Sequence, residues 1–284
     1  MGSRNNSQSI GIALRSENFA PHLLGPASEA LDRSVIDTVW FPDVGSYDAL
    51  ELCAYTLGRT SHVKVATGVI RFYEHTLEGL ARRIRTLTEA GGKRLILGIG
   101  AGRKSGQSAV EEIGAFARTL KEMIDDTGTK LVVSALRKRM TESALQHSDG
   151  VLFNFCYPPY IRNLLDKVQP SKEKIVAGYV KLYYSRTKEH AQEMMLQEFQ
   201  KYSSIPNYRS AFEQMGLLDQ ILAKEVNSPK LNSISLPNPS GTALANLLAE
   251  MRHAGLNHVV IYPYIDGDDE FKLEVLRRIV SECS

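Results

Sequence analysis

Cysteine is scarce in this sequence. Cys53, Cys156 and Cys283 are odd in number and far apart, which argues against a disulfide framework and fits a reducing compartment. An excess of charge of one sign is also missing. Thirty-four basic against 32 acidic side chains leave a formal net charge of +2, so no bulk field draws nucleic acid or an anionic membrane. No apolar run reaches the ~18 residues of a membrane span. The opening Met-Gly-Ser-Arg-Asn-Asn-Ser is polar and lacks the apolar core of a secretory signal, so the expected location is the cytoplasm. Also lacking are a G-x-S-x-G elbow, a G-x-x-x-x-G-K-[ST] phosphate loop and H-E-x-x-H metal spacing. The seven histidines show no metal-ligand pattern, so no metal is expected. His253 and His258 straddle a helix-to-strand turn and read as surface residues.

What the sequence does contain is rhythm. Apolar strand-like runs at 9–14, 38–42, 63–70, 94–100, 130–134, 150–154, 174–182 and 258–262 alternate with amphipathic helical patterns. In 107–125, Val110, Ile113, Ala117, Leu120 and Ile124 recur at spacings of three and four, marking one buried face. In 242–253, Leu244, Leu247, Leu248 and Met251 do the same, with Ser240 placed as N-cap and Gly255 as terminator. Such strand–helix repetition implies parallel strands with right-handed crossovers. Eight units over 284 residues favour one (β/α)₈ barrel domain over an open doubly wound sheet. Residues 185–240 break the rhythm. Two long helical patterns, 188–202 and 209–226, precede a Pro/Asn/Ser-rich stretch at 227–240. Such an excursion after the seventh strand either caps the barrel mouth or lies on the surface as an oligomer contact.

A (β/α)₈ barrel carries its site at the strand C-termini, which restricts the candidates. The fourth run ends in Gly98, Gly100 and Gly102 before Arg103. Without a Cβ, these positions let a flat ligand or another backbone approach closely. Arg103 can meet an anion there, or be a solvated arginine. Asp43 ends the second strand, and its carboxylate either does acid–base work or caps the next helix at 47–57. Thr67-Gly68-Val69 and Arg71 end the third strand, Ser134 and Arg137 the fifth, Asn154 the sixth, Tyr183 and Tyr184 the seventh, and Tyr262 and Tyr264 the eighth. A mouth of glycines, cations and tyrosines without a nucleophile or metal leaves the chemistry to an organic cofactor.

Five segments in order carry a resemblance: Asp37-Thr-Val-Trp-Phe-Pro-Asp43, Ala66-Thr-Gly-Val-Ile70, Leu97-Gly-Ile-Gly-Ala-Gly102, Ser148-Asp-Gly-Val-Leu-Phe-Asn154 and Met251 to Pro263. The chain resembles the bacterial-luciferase-like superfamily of flavin- and deazaflavin-dependent oxidoreductases, and within it the methylenetetrahydromethanopterin reductase branch. The resemblance implies a luciferase-like TIM barrel, a homodimer, that binds coenzyme F-420 or FMN at the strand C-termini and transfers hydride to or from an organic substrate. It implies cofactor contacts at Thr67, Gly68, Val69, Gly100, Gly102, Arg103, Ser134 and Asn154, with Asp43 as the catalytic acid or base. It also implies a non-proline cis peptide at Gly68–Val69 behind the cofactor ring, where a side chain at position 68 would fill the ring's space. Two departures stand out. Val44 occupies the place where relatives usually carry histidine, which favours hydride transfer over oxygen chemistry. The loop after the fourth strand, long in relatives, is cut short before the helix at 107. A non-catalytic flavin-binding homologue, or a cofactor-free barrel lyase or isomerase on a phosphorylated metabolite, are the alternatives.

Overall fold

The computed structural model describes residues 9–102 and 104–283. The elements run β1 (Ser9–Ala13), α1 (Pro21–Asp32), β2 (Thr38–Phe41), α2 (Ala49–Leu57), β3 (Lys64–Thr67), β4 (Ile70–Arg71), α3 (Leu77–Gly91), β5 (Leu95–Gly100), α4 (Gly106–Ile124), β6 (Lys130–Ala135), α5 (Lys138–His147), β7 (Gly150–Phe153), α6 (Pro158–Val168) and β8 (Ile175–Tyr184). After β8 come α7 (Lys188–Ser203), α8 (Pro206–Met215), α9 (Leu218–Leu222), α10 (Pro229–Asn232) and β9 (Ser235–Pro237), then α11 (Gly241–His253), β10 (His258–Ile265) and α12 (Asp269–Cys283). No helix among the described residues is long and apolar enough to cross a membrane.

Eight parallel strands close into a barrel in the order β1-β2-β3-β5-β6-β7-β8-β10, because β10 pairs with β8 on one side and β1 on the other. Strand parity then sorts the side chains. Ala13, Trp40, Ala66, Val132, Leu152, Tyr179 and Val260 fill the interior. Their alternates, among them Ile12, Val39, Val65, Leu97 and Val133, pack outward against the helices. Each strand is buried on both faces, which explains why the runs read as continuously apolar.

Three expectations change in detail. The third run is two strands, β3 and β4, separated by the cis peptide Gly68–Val69. The pattern at 209–226 is two helices, because Gly216 takes φ +66° and ends α8 before α9 begins. The stretch at 227–240 holds α10 and β9, and β9 pairs with β8, Lys181 against Ser235. The excursion caps the barrel: Ala191, Met195, Phe199, Phe212, Leu217 and Ile221 join the same buried cluster as Trp40 and Tyr179. At the other predicted signals, the Ser240 hydroxyl accepts from the Ala243 amide, and Gly255 adopts φ +106° beyond α11. The helix after β5 starts at Gly106, so the link there is short.

Candidate active site at the barrel mouth

Two clefts lie at the C-terminal ends of the strands. The first, of about 530 Å³, is bounded by the ends of β5, β6 and β7 and by α8. Two helices open into it. Neither Ser105, the N-cap of α4, nor Arg137, the N-cap of α5, offers a side-chain acceptor to the first amides. Those N–H groups and the positive ends of both helices are therefore left for a ligand. Lys104, Arg137, Lys138 and Arg139 add four cations, and no Asp or Glu stands among the described lining residues. Three of the four are engaged beside the cleft, Lys104 with Glu112, Lys138 with Glu142 and Arg139 with Gln107. Among the described residues Arg137 donates only to neutral oxygens, 3.1 Å from Ser210 and 3.4 Å from Asn207, both brought in by α8. Deeper in, the Asn154 amide nitrogen donates to the Tyr208 hydroxyl at 3.2 Å, while its buried Oδ1 has no partner among the described residues. A buried acceptor of that kind calls for a donor from a ligand or water.

The second cleft, of about 400 Å³, lies over the ends of β1, β2 and β10, under α7. Arg15 is forked onto Glu17 at 3.0 and 3.2 Å, and its guanidinium lies over the Tyr264 ring at 4.7 Å. Asp43 reaches the Arg71 guanidinium at 3.7 Å. Burial raises the Asp43 carboxyl above its ordinary value, and the Arg71 charge only partly opposes this. Behind the cleft floor is a buried triad. The Lys181 ammonium, wholly enclosed, donates to Glu198 at 3.1 Å and to the Tyr264 hydroxyl at 3.3 Å. Tyr264 in turn donates to the same Glu198 oxygen at 2.5 Å. Burial lowers Lys181 to about 8 even against the attraction of Glu198. Burial also pushes Glu198 up, but Lys181 and the Tyr264 hydrogen bond outweigh it and hold it below the usual carboxylate range. The clefts are separated by two features. Tyr202, on the second, packs edge-on against Tyr208, on the first, at 4.5 Å. The Arg71 stem lies against Gly102, while its head meets Asp43.

The predicted site residues therefore divide. Val69, Gly102, Ser134 and Asn154 line the first cleft. Asp43 lines the second. The N-cap of α2 is Asp48, which accepts from the Leu50 and Glu51 amides, while the Asp43 carboxyl faces the amide of Ala49, the first residue of that helix. Thr67 and Gly100 are buried and Gly68 is half-buried, and none of the three lines either cleft. The Thr67 hydroxyl both donates to and accepts from the Gly98 backbone. A Cβ on Gly100 would meet Val69 and Ser134, and one on Gly98 the Thr67 carbonyl. A Cβ on Gly68 would meet the Tyr179 hydroxyl at 1.8 Å, the same group that donates to the Gly68 carbonyl. A side chain there disturbs the barrel interior before it reaches any ligand. Arg103 lies outside the described residues. Sequence reasoning missed Lys181 and Glu198; the one available signal was a lysine in the apolar run Ile175–Tyr184. It also placed His258 on the surface, whereas the structure buries it.

The family described as luciferase-like monooxygenase matches residues 14–125. No curated protein matches the sequence. Among solved structures, the coenzyme F-420 dependent tetrahydromethanopterin reductase of Methanopyrus kandleri is similar with TM-score 0.68 at 14% identity, over 95% of this chain and 98% of that one. An F-420-dependent secondary alcohol dehydrogenase, solved with an F-420–acetone adduct, gives TM-score 0.73 at 12% identity over 98% and 99%. The oxygenating constituent of 3,6-diketocamphane monooxygenase from a Pseudomonas putida plasmid, a type II Baeyer–Villiger monooxygenase solved with FMN, gives 0.61 at 13% over 97% of each. At these identities the structural likeness speaks for the fold. This chain thus resembles the luciferase-like oxidoreductases in sequence pattern over residues 14–125 and in fold over nearly its whole length.

Proposed function

We propose that the protein is a cytoplasmic, homodimeric oxidoreductase that holds FMN or coenzyme F-420 in the first cleft and transfers hydride to or from an organic substrate presented from the second. One observation carries the reading: two uncapped helix N-termini and four cations converge on a cleft without carboxylates, which also contains an unpartnered amide oxygen. A ligand with an anionic tail and a ring bearing N–H donors satisfies both ends, and the flavins and deazaflavins are such ligands.

When bound, the ring supplies the hydride-carrying atom. The protein's part follows from its side chains. Arg137 and the amides after Ser105 and Arg137 would hold the phosphate, and Arg103 would add a further cation. Asn154 Oδ1 and Ser134 would fix the ring edge, with Val69 and Gly102 along its sides. Thr67, Gly68 and Gly100 keep that wall thin and in register. Asp43 would hold a proton at its carboxyl, its burial favouring the protonated form, and Arg71 would orient it from between the clefts. Relatives named as F-420-dependent and as FMN-bound both share the fold, so the two cofactors are compared directly.

The test is titration of the purified protein with FMN and with coenzyme F-420, followed by absorbance and fluorescence. At least one binds, inorganic phosphate competes, and Arg137→Gln weakens binding about tenfold or more. Lack of binding by both overturns the reading and leaves a barrel acting on a phosphorylated metabolite.

A further inference from the structure

We propose that the second cleft is a binding site for a short-chain carboxylate, anchored by Lys201, Arg15 and Tyr202, and that the substrate carries this group. The identification as substrate rests on the reading of the first cleft as the cofactor site; the binding itself does not.

The argument is one of committed and uncommitted charge. Three carboxylates line the second cleft: Glu17 has Arg15 at 3.0 Å, Glu198 has the buried Lys181 at 3.1 Å, and Asp43, whose burial favours its protonated form, meets at 3.7 Å an Arg71 that is already paired with Glu74 at 2.9 Å. Lys201 lines the same cleft from α7, and among the described residues it has no ion-pair partner. Hydrogen-bond donors show the same imbalance. Arg15 uses Nε and Nη2 on Glu17 and leaves Nη1 free. The Tyr202 hydroxyl donates to no described residue, although its ring packs against Tyr208 and Phe155. Of the acceptors, Glu17 gives both oxygens to Arg15, and Glu198 Oε1 takes both Lys181 and Tyr264. What the cleft offers an incoming molecule is therefore one unanswered positive charge and a set of N–H and O–H donors, which suits the oxygens of an anion.

The neighbouring carboxylates decide which anion. Glu17 stands on the same wall, so a dianion meets like charge that a monoanion largely avoids. A phosphate dianion finds its match in the first cleft, with four cations and no described carboxylate. The second cleft, of about 400 Å³ and lined mainly by polar side chains, suits a short chain better than a long apolar one. The buried triad has a place here too. Without Lys181, Glu198 would add an unneutralised negative charge to the cleft floor, and Tyr264, the shelf under the Arg15 guanidinium, would keep only its hydrogen bond to Glu198.

The experiment is calorimetric titration of the full-length protein at neutral pH with lactate, pyruvate, the neutral analogue lactamide and inorganic phosphate. At least one acid binds, and lactamide binds at least about tenfold more weakly than lactate. Lys201→Met, at an exposed position, weakens the acid by about tenfold and leaves FMN and F-420 affinity within twofold. Tyr202→Phe weakens it by a smaller factor. Equal binding of lactate and lactamide, an unchanged acid affinity in Lys201→Met, or no binding by either acid in protein that binds cofactor overturns the proposal and leaves the cofactor reading standing. Acid binding in protein that binds neither cofactor overturns the cofactor reading alone.

Discussion

The barrel holds two buried polar clusters, one at each end, and they are built on opposite principles. At the N-terminal end, β10 starts with His258, which accepts from the Trp40 indole N–H at 2.9 Å through Nε2. Nε2 as acceptor leaves the proton on Nδ1, which donates to the Ser9 hydroxyl at 2.5 Å. The cluster is neutral at its centre, with Asp37 3.9 Å away. Protonation would turn Nε2 toward another donor, and burial lowers the imidazole to about 4 although Asp37 pulls the other way. At the mouth, Lys181, Glu198 and Tyr264 form a charged cluster, with Arg15 above it. Barrels commonly place stability at the bottom and chemistry at the top. The neutral cluster fixes strand register and asks nothing of solvent. The charged one ties α7, and with it Lys201 and Tyr202, to the strands that form the floor of the second cleft.

The largest expected effect breaks the mouth cluster. Lys181→Met strands a buried carboxylate, which should cost about 3–5 kcal/mol and lower Tm by roughly 10 °C in a thermal melt. The double variant Lys181→Met, Glu198→Leu removes both charges and should recover at least half of that loss. A double variant as unstable as the single would show that packing rather than charge ties α7 down.

Asp43→Asn separates function from stability at the same end. Asp48 already caps α2, so the melt should be unchanged, while turnover with reduced cofactor falls about 10²-fold. Equal turnover in parent and variant removes Asp43 as acid or base. The bottom cluster answers to pH instead. In the folded state His258 takes a proton only near pH 4, whereas unfolded it does so near 6.5. Between these values the unfolded chain binds more protons. Its contribution is therefore complete above about pH 6.5 and is lost as pH falls toward 4, by an amount on the order of 3 kcal/mol. Urea denaturation across that range should show the slope in the parent and lose most of it in His258→Gln. The smallest effect tests a feature belonging to neither cluster: Ser240→Ala removes the cap on the Ala243 amide and should cost about 1 kcal/mol, with ligand binding untouched.

How much of this was legible follows from which interactions are local. Continuous apolar runs marked the strands because both faces of each are covered, and spacings of three and four marked α4 and α11 because one face of each helix packs inward. Ser240 and Gly255 were readable because caps act within one turn. The set Val69, Gly102, Ser134 and Asn154 could be named from strand ends alone, since a barrel delivers every strand end to one mouth. That the mouth contains two clefts could not. The partition depends on Tyr202 meeting Tyr208 and on Arg71 lying against Gly102, contacts between side chains brought together by turns and loops.

The polar interior shows the same limit. A lysine in an apolar strand says only that something must answer it; its answer, Glu198, comes from a helix that the sequence left as either cap or surface excursion. His258 looked exposed because it stands at a helix-to-strand turn, yet barrel closure places it beneath Trp40. The sequence by itself determined the strand–helix alternation, the buried faces of α4 and α11 and the residues presented at the mouth, because periodicity and capping act over a few residues. Only the tertiary structure decided which polar groups are buried together, which are left without partners and which face one another across a cleft, because a buried charge or hydrogen bond depends on a partner from a distant part of the chain.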